Sequence, residues 1–375
     1  MHHIIWQRLT VCLLAIVQLV AIASLFISPP SPQPKSNQPL VDHLVRSGRS
    51  TIDPDFQKTM EQKLSHGIVR TKAVRGTAII LESNTGAIKA VVNPDLALQA
   101  WEPGSVMKPL VLGAALTEQT VKLSDAYNGP GNVTIEGLNI YNAIPSPPRE
   151  TKITDILMRS LNTGAVHLLE TLGDGNINTK ARKIWYDYMV NHYQFGKPSG
   201  LSGFSENPGF VRPPKGGRNI TLRYASSSFG VGVAITPLQL ASAYGALTNG
   251  GTYYEPYISK EDSDQAHIEN VVSPVASEQM QNLLPKVLAA NYPEVSRHGY
   301  IMGGKSGTAP VATENSVYKP GVDNGTYVGF IGKTKPKYIL LVRLDEPQTD
   351  GFASREAVTV WANIVHKLIE DGLVQ

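Results

Sequence analysis

The chain has 375 residues, of which 42% are hydrophobic and 17% are charged. This length and apolar content allow one large core or two smaller ones, and they exclude disorder on a large scale. The formal net charge is only +3 and the charges are scattered, which argues against a nucleic-acid-binding protein. The single cysteine, Cys12, excludes an intramolecular disulfide.

The N-terminal segment is almost entirely apolar over residues 9–27 and is followed at once by Ser28-Pro29-Pro30. A helix of about 20 apolar residues can cross a bilayer. The alternative is a cleaved signal peptide, with a small-residue cleavage site at Ala21-Ile22-Ala23. Because residues 25–27 continue the apolar run past that site, the sequence favours an uncleaved transmembrane anchor over residues 9–27.

Residues 28–48 carry several prolines among polar residues, and this composition predicts an extended tether. Asp53 and Pro54 are then typical of the N-cap and first turn of a helix, which we expect to run through Leu64. Residues 76–82 and 87–92 predict a β-hairpin with its turn at residues 83–86.

Ser105 and Lys108 lie in the stretch Trp101-Glu102-Pro103-Gly104-Ser105-Val106-Met107-Lys108 and predict a nucleophile with its own base. Pro103-Gly104 is typical of a helix start, and the apolar residues 110–116 predict a buried helix. Side chains at i and i+3 share a helix face, so the Lys108 amine can take the Ser105 hydroxyl proton. Free N–H groups at the helix N-terminus would favour developing negative charge at Ser105.

The same spacing recurs at Ser316 and Lys319, but Pro320-Gly321 follows there instead of a helix. We therefore interpret that match as a surface loop.

A second pair, Ser160 and Asn162, follows a short apolar segment in the helix-rich middle of the chain. Residues i and i+2 can face one site only if the helix breaks between them, and Ser160-Leu161-Asn162-Thr163-Gly164 is a plausible break. Ser205-Glu206-Asn207 has the same pattern among prolines and glycines, and we interpret it as a structural loop.

The third motif, Lys305-Ser306-Gly307-Thr308, is predicted to lie on a strand. It offers a cation, hydroxyls on alternate residues, and a glycine that would let a ligand backbone approach closely. Residues 327–332 and 338–344 predict two further strands, and residues 355–370 an amphipathic helix. Strands near both ends of the chain, with helices between them, predict one sheet built from both ends and an inserted helical subdomain.

The motifs Ser-x-x-Lys, Ser-x-Asn and Lys-Ser-Gly occur in the chain order that is the signature of penicillin-binding proteins and class A β-lactamases. The chain closely resembles the class B penicillin-binding proteins, the monofunctional peptidoglycan D,D-transpeptidases of cell division and elongation. The resemblance covers residues 49–370, including the stretch 228–241 before the third motif. Family members usually carry a pedestal domain between anchor and catalytic domain, whereas only residues 28–48 separate them here.

The resemblance implies an α/β (α+β) fold of the penicillin-binding/serine β-lactamase-like transpeptidase type over residues 49–375. In this fold an antiparallel sheet is flanked by helices and joined to a helical subdomain. The N-terminal anchor would add one transmembrane helix.

The resemblance also implies roles for the motif residues. Ser105 would attack the penultimate D-alanine of a stem peptide, and Ser160 would pass a proton to the leaving amine. Lys108 would be the base, and we expect burial and the nearby charge of Lys305 to keep it neutral. Asn162 would hold Lys108 and the substrate amide.

The donor peptide would be held by backbone and side-chain groups of the third motif. The N–H groups of Ser105 and Thr308 would bind the tetrahedral oxyanion. The residues implied in binding the terminal carboxylate are Lys305, Ser306 and Thr308, and Gly307 is implied as a further substrate-binding residue.

No cofactor is expected, and the nine histidines lack the H-x-x-x-H or H-E-x-x-H spacing of a metal site. The implied partners are peptidoglycan stem peptides, β-lactams and a polytopic membrane glycosyltransferase contacted mainly through the anchor. Because the substrate lies outside the cytoplasm, we expect residues 1–8 inside the cell and the catalytic domain on the extracytoplasmic face of the membrane.

Two alternatives remain open at the level of sequence. A D,D-carboxypeptidase, a β-lactamase or a β-lactam sensor would keep the same fold and acyl-enzyme but transfer the acyl group to water. A catalytically silent cell-wall scaffold would keep only the fold.

Overall fold

The structure is a computed structural model that describes residues 36–264, 266–312 and 318–374. The predicted cytoplasmic segment 1–8, the anchor 9–27, the first part of the tether and Ser316 lie outside these ranges. Within the described ranges, no helix combines the length and the apolar character that crossing a membrane requires.

Helices and strands follow one another from residue 38 onward. The helices are α1 (Gln38–Arg46), α2 (Pro54–Thr71), α3 (Pro94–Ala97), α4 (Lys108–Thr117), α5 (Ile153–Met158), α6 (Asn162–Thr171), α7 (Thr179–Asp187), α8 (Ile220–Ser227), α9 (Pro237–Thr248), α10 (Pro274–Asn291) and α11 (Ala353–Glu370). The strands are β1 (Arg75–Glu82), β2 (Ile88–Val92), β3 (Ala126–Gly129), β4 (Asn132–Ile135), β5 (Leu138–Tyr141), β6 (Arg149–Lys152), β7 (Tyr253–Tyr254), β8 (His267–Ile268), β9 (Ile301–Ala312), β10 (Tyr318–Gly332) and β11 (Tyr338–Asp345). A 3₁₀ turn, Gly104–Met107, directly precedes α4.

The central sheet has the strand order β2-β1-β11-β10-β9, and every neighbouring pair is antiparallel. Its strands come from both ends of the chain, since β1 pairs with β11, with Ile79 opposite Leu341. The prediction of one sheet built from both ends, with a largely helical insertion, is confirmed. β9 is an edge strand, which leaves one of its sides available to a ligand.

Both faces of the sheet are covered, which explains why its central strands are continuously apolar. Ile80 belongs to the core under α2 and α11, together with Met60 and Trp361. Ile79 belongs to the larger core on the opposite face, which includes Leu112 of α4 and is shared with the helical insertion.

The first helix corrects the prediction of an extended tether over residues 28–48, in the part of that segment that the structure describes. α1 forms within that segment, and its Val41 and Leu44 side chains are buried against the larger core. Two apolar residues three positions apart give the helix a side to bury, and Pro39 lies in its first turn, where a missing N–H costs little. Asn37 fixes the start of the helix by exchanging two hydrogen bonds of 2.8 Å with the backbone of Ser205.

The next elements agree with the sequence apart from one boundary. Asp53 caps α2 by accepting hydrogen bonds from the backbone N–H groups of Asp55 and Phe56. The helix continues past Leu64 to Thr71, because further residues on its buried side meet the core. The hairpin of β1 and β2 forms as predicted.

Candidate active site

A cleft of about 380 Å³ opens beside the edge strand β9, and all three motifs meet there. It lies between β9, the 3₁₀ turn before α4, and the chain break between α5 and α6. The predicted site residues that line it are Ser105, Ser160, Asn162, Lys305, Ser306 and Thr308. Lys108 lies behind this surface, in contact with Ser105, and Gly307 lies between two lining residues of β9 and faces Pro103 and Val106.

Ser105 lies in the 3₁₀ turn, and Lys108 is the first residue of α4. Lys108 Nζ is 2.9 Å from Ser105 Oγ, as the i, i+3 spacing predicted. Gly104 adopts φ +65°, and a Cβ at this position would lie 2.6 Å from the Thr308 carbonyl oxygen. The turn therefore requires glycine directly before the serine, both for its backbone conformation and for its contact with β9.

The Lys108 amine is completely buried. Its Nζ lies 2.7 Å from the Ser160 carbonyl oxygen, 2.8 Å from Asn162 Oδ1 and 3.2 Å from Ser160 Oγ. A neutral amine can donate its two hydrogens to the two carbonyl-type oxygens and keep its lone pair for the Ser105 hydroxyl. The geometry is thus compatible with the amine accepting the serine proton.

Burial also changes the acid–base properties of the two lysines in the cleft. It lowers the pKa of Lys108 well below its usual value, and the positive charge of Lys305 lowers that pKa further. Burial lowers the pKa of Lys305 to about 7. The expectation that burial and a like charge act together on Lys108 agrees with these shifts.

The helix breaks between α5 and α6, as the spacing of Ser160 and Asn162 required. Ser160 has φ +54° in this break, and Asn162 begins α6. Asn162 Nδ2 donates a 2.8 Å hydrogen bond to the Tyr141 carbonyl oxygen, which turns Oδ1 toward Lys108. Both polar side chains therefore reach Lys108 from positions that a continuous helix would have placed on different faces.

The third motif lies in β9, as predicted, with Lys305 and Gly307 on one face and Ser306 and Thr308 on the other. Lys305 Nζ donates to the Ser306 carbonyl oxygen at 2.9 Å. The expectation for Gly307 needs a correction. A Cβ at Gly307 would lie 2.8 Å from the Pro103 carbonyl oxygen, so the space beside this glycine is filled by the protein's own chain and not by a ligand backbone.

Two residues that help to build the site had no recognisable sequence signal. Asn142 is buried and holds the start of α6, because its Oδ1 accepts from the Thr163 N–H at 3.1 Å. Tyr141 contributes its backbone carbonyl, which accepts from Asn162 Nδ2. Every residue has a backbone carbonyl, so the residue type at position 141 does not indicate this role. Asn142 lies about twenty positions from its partner Thr163, and the spacing of nearby residues cannot predict such a contact.

Glu102 and Tyr318 are two further residues at the site without an assigned role in the sequence. Tyr318 lines the cleft, and its hydroxyl donates to Glu102 Oε2. Among the described residues, no group of three or more His, Cys, Asp or Glu side chains could hold a metal ion.

Residues 76–370 match the family model of the penicillin binding protein transpeptidase domain. A peptidoglycan D,D-transpeptidase FtsI homolog from Mesostigma viride is 27% identical over 373 aligned positions, covering 85% of this chain and 60% of its own length. Stage V sporulation protein D of Bacillus subtilis is 28% identical over 356 positions, covering 86% of this chain and 53% of its own length. The chain thus spans little more than half the length of these two curated relatives.

Solved structures show the same fold. The transpeptidase domain of penicillin-binding protein 3 from Burkholderia pseudomallei has a TM-score of 0.75 and 24% identity, over 86% of this chain and 96% of that one. Penicillin-binding protein 3 of Mycobacterium tuberculosis, solved in complex with aztreonam, has a TM-score of 0.73 and 21% identity, over 87% of this chain and 79% of that one.

Proposed function

Since the chain belongs to the penicillin-binding protein transpeptidase family, we propose that it is a serine D,D-transpeptidase. It would cross-link peptidoglycan stem peptides through an acyl-enzyme on Ser105 and be inhibited by β-lactams. The observation that carries this proposal is the buried Lys108 amine, 2.9 Å from Ser105 Oγ and held by Ser160 and Asn162.

In the acylation step, Ser105 Oγ attacks the carbonyl carbon of the penultimate D-alanine while its proton passes to Lys108 Nζ. The oxyanion of the tetrahedral intermediate is bound by the N–H groups of Ser105 and Thr308. The carbon–nitrogen bond then breaks as the Ser160 hydroxyl gives its proton to the leaving amine and takes up the proton held by Lys108 Nζ, which lies 3.2 Å from Ser160 Oγ. Terminal D-alanine departs and an ester remains on Ser105.

In the transfer step, the amine of a neighbouring stem peptide attacks this ester, loses its proton to the same relay, and releases Ser105. Lys305, Ser306 and Thr308 bind the donor's terminal carboxylate before acylation. A β-lactam presents a carboxylate and a strained amide in a similar arrangement. Its leaving nitrogen stays attached to the acyl group after ring opening, so no free amine departs.

The proposal is tested by measuring the intact mass of the full chain, purified in detergent, after incubation with benzylpenicillin. We expect a gain of one ligand mass in the wild type and none in Ser105→Ala. Ser316→Ala, which alters the other Ser-x-x-Lys spacing, should acquire the adduct normally. A folded wild type that acquires no adduct would reject the enzyme and favour the scaffold.

The same adduct separates transfer from hydrolysis. In a transpeptidase, the penicilloyl adduct on Ser105 should persist for hours. In a β-lactamase, water should hydrolyse the adduct in every catalytic cycle, so that no adduct accumulates. For a D-Ala-D-Ala donor peptide, product linked to an added amine supports transfer. Release of free acid alone would indicate a carboxypeptidase.

We further propose that residues 9–27 anchor the protein in the cell membrane, with residues 1–8 in the cytoplasm and the catalytic domain outside. The apolar composition of the segment and the extracytoplasmic location of peptidoglycan support this. A polytopic membrane glycosyltransferase would supply the glycan strand and contact the anchor. Replacing residues 9–27 by an unrelated apolar helix should weaken co-purification with that partner, and undiminished recovery would reject the contact.

A further inference from the structure

The carboxylate of Glu102, three residues before Ser105, joins two segments that are distant in sequence. Its Oε1 accepts a 2.7 Å hydrogen bond from the Gly232 N–H. Its Oε2 accepts a 2.6 Å hydrogen bond from the Tyr318 hydroxyl. Each of the two oxygens accepts one hydrogen bond, so the Glu102 side chain links the two segments.

The first segment runs alongside the residues that lead to Ser105. Trp101 and Ile235 exchange backbone hydrogen bonds of 2.9 and 3.1 Å, and the Gly104 N–H donates to the Gly230 carbonyl oxygen at 3.1 Å. The Glu102 contact with Gly232 lies between these two attachments. The approach is close, since a Cβ on Gly230 would lie 2.2 Å from the Gly104 carbonyl oxygen.

The opposite side of the same turn is packed against β9. Gly104 lies against the Thr308 carbonyl, and Gly307 lies against the Pro103 carbonyl. The turn with Ser105 is therefore held between the segment around Gly232 and the strand that carries Thr308. Its separation from β9 determines whether the Ser105 and Thr308 N–H groups can both reach one oxygen atom.

The second segment attached to Glu102 is the start of β10. Tyr318 is the first residue of that strand, and it lines the cleft with Pro310 and Lys319. Through Tyr318, the carboxylate connects the turn to the strand paired with β9. Among the described residues, this is the hydrogen bond that joins the Glu102 side chain to β10.

We propose that Glu102 and Tyr318 are positioning residues for acylation. They hold the 3₁₀ turn Gly104–Met107, which carries Ser105 and is called the nucleophile turn below, against β9, so that the Ser105 and Thr308 N–H groups converge on the oxyanion. The inference rests on the proposed function and adds two residues to it. The hydrogen bonds of the Glu102 side chain go to Gly232 and Tyr318, and not to Ser105 or Lys108. Both residues act through the geometry of the groups that react.

The test measures penicillin acylation of the full chain in detergent, separated into the pre-acylation dissociation constant and the acylation rate constant k2. Glu102→Gln offers one acceptor oxygen where the carboxylate offers two, and Tyr318→Phe removes only the hydroxyl. Displacement of catalytic groups by about 1 Å can cost roughly 10²-fold in rate. We expect each variant to lower k2 by about 10- to 100-fold and to leave the dissociation constant within about twofold.

A matched control is provided by Tyr188, whose hydroxyl donates to Glu118 Oε1 at 2.9 Å at the far end of α4. Tyr188→Phe removes the same kind of Tyr–Glu hydrogen bond away from the cleft and should leave k2 unchanged. The double variant, Glu102→Gln with Tyr318→Phe, should have a k2 no lower than that of the slower single variant. Both changes break the same hydrogen bond, so their effects on k2 should not add.

The possible results separate this inference from the proposed function. A wild type that is never acylated rejects both. If the wild type is acylated normally and Tyr318→Phe has an unchanged k2, the positioning role is rejected and the proposed function stands. The same conclusion follows if the variants raise only the dissociation constant. An equal fall of k2 in the Tyr188→Phe control would show a general loss of stability and also overturn the positioning role. If Glu102→Gln fails to fold, the milder Tyr318→Phe still decides the question.

Discussion

At the scale of single residues, the site depends on two lysines that the fold places in a dry environment. An ammonium group loses its hydration when it is buried, so the folded protein favours the uncharged form. Lys108 is surrounded by oxygen acceptors that can orient a neutral amine, and Lys305 adds a repulsive charge. The two lysines must differ in charge for the proposed reaction, since one removes a proton and the other attracts a carboxylate.

The pH dependence of acylation should report this difference. The ratio of k2 to the dissociation constant should rise with pH as Lys108 loses its proton, because only the neutral amine is a base. It should fall again as Lys305, with a pKa of about 7, loses the charge that binds the ligand carboxylate. Stopped-flow measurements with a chromogenic β-lactam between about pH 5 and pH 10 would give the profile, and a bell shape is expected.

Lys305→Arg is the control for the falling limb, since a guanidinium keeps its charge throughout this pH range. We expect a slower enzyme whose rate no longer falls at alkaline pH. If the falling limb persists in Lys305→Arg, another group causes it.

Sequence patterns identified the residues whose chemistry depends on a fixed spacing. Ser105 with Lys108, and Ser160 with Asn162, meet because local helix geometry determines where their side chains go. Glu102 could not be identified in this way, because its partners Gly232 and Tyr318 are more than a hundred residues distant and are set by the tertiary fold alone.

At the scale of elements, the break between α5 and α6 illustrates how a strained residue is used. Ser160 carries a Cβ in the left-handed region, which costs an L-residue roughly 1–2 kcal/mol. In exchange, its carbonyl and hydroxyl both face Lys108. The sequence indicated a break but not its conformation, because serine has no strong preference for positive φ.

Two substitutions at Ser160 distinguish the effect of its hydroxyl on acylation from the effect of its backbone strain on stability. Ser160→Gly removes the hydroxyl and relieves the strain, whereas Ser160→Ala removes the hydroxyl and keeps the strain. We expect the glycine variant to be more stable than the alanine variant by about 1 kcal/mol in thermal unfolding. Both should acylate roughly 10²-fold more slowly if the hydroxyl transfers a proton. Near-normal acylation in Ser160→Gly would contradict that role.

Elements with a strong local pattern were predicted well, and those stabilised by distant contacts were not. β11 has a long apolar run and α11 a clear amphipathic period, and both formed as expected. β10 begins at Tyr318, well before the predicted residues 327–332, so Lys319 lies in a strand and not in the surface loop predicted there. α1 has only two inward apolar residues among prolines and polar residues, so local composition favoured a tether. Its docking site is built by residues from the remainder of the chain and has no local signal.

At the scale of the whole molecule, the sheet joins segments from both ends of the chain and separates two hydrophobic cores. The nucleophile turn lies on one face and the third motif at the sheet edge, so the cleft requires the turn at Gly104 to pack against Thr308 of β9, which is distant in sequence. α1 adds a further contact between the beginning of the described chain and the helical insertion. Its contribution to stability can therefore be measured apart from catalysis.

Val41 and Val45 lie on the same helix, but Val41 is 3% exposed and Val45 is 44% exposed. Val41→Asp should undock α1, because a buried carboxylate is far more costly than the loss of the helix contacts. The loss in unfolding free energy is then limited to what docking contributes, about 3–6 kcal/mol for burying one valine and one leucine. Val45→Asp places the same charge in solvent and should change stability by less than about 0.5 kcal/mol. Thermal unfolding of the full chain in detergent, with penicillin acylation as a check on the site, would compare the two. Equal melting temperatures for the two variants would show that α1 adds little to the stability of the fold. A lower melting temperature for Val41→Asp alone, with acylation retained below the transition, would establish the helix as part of the stable domain.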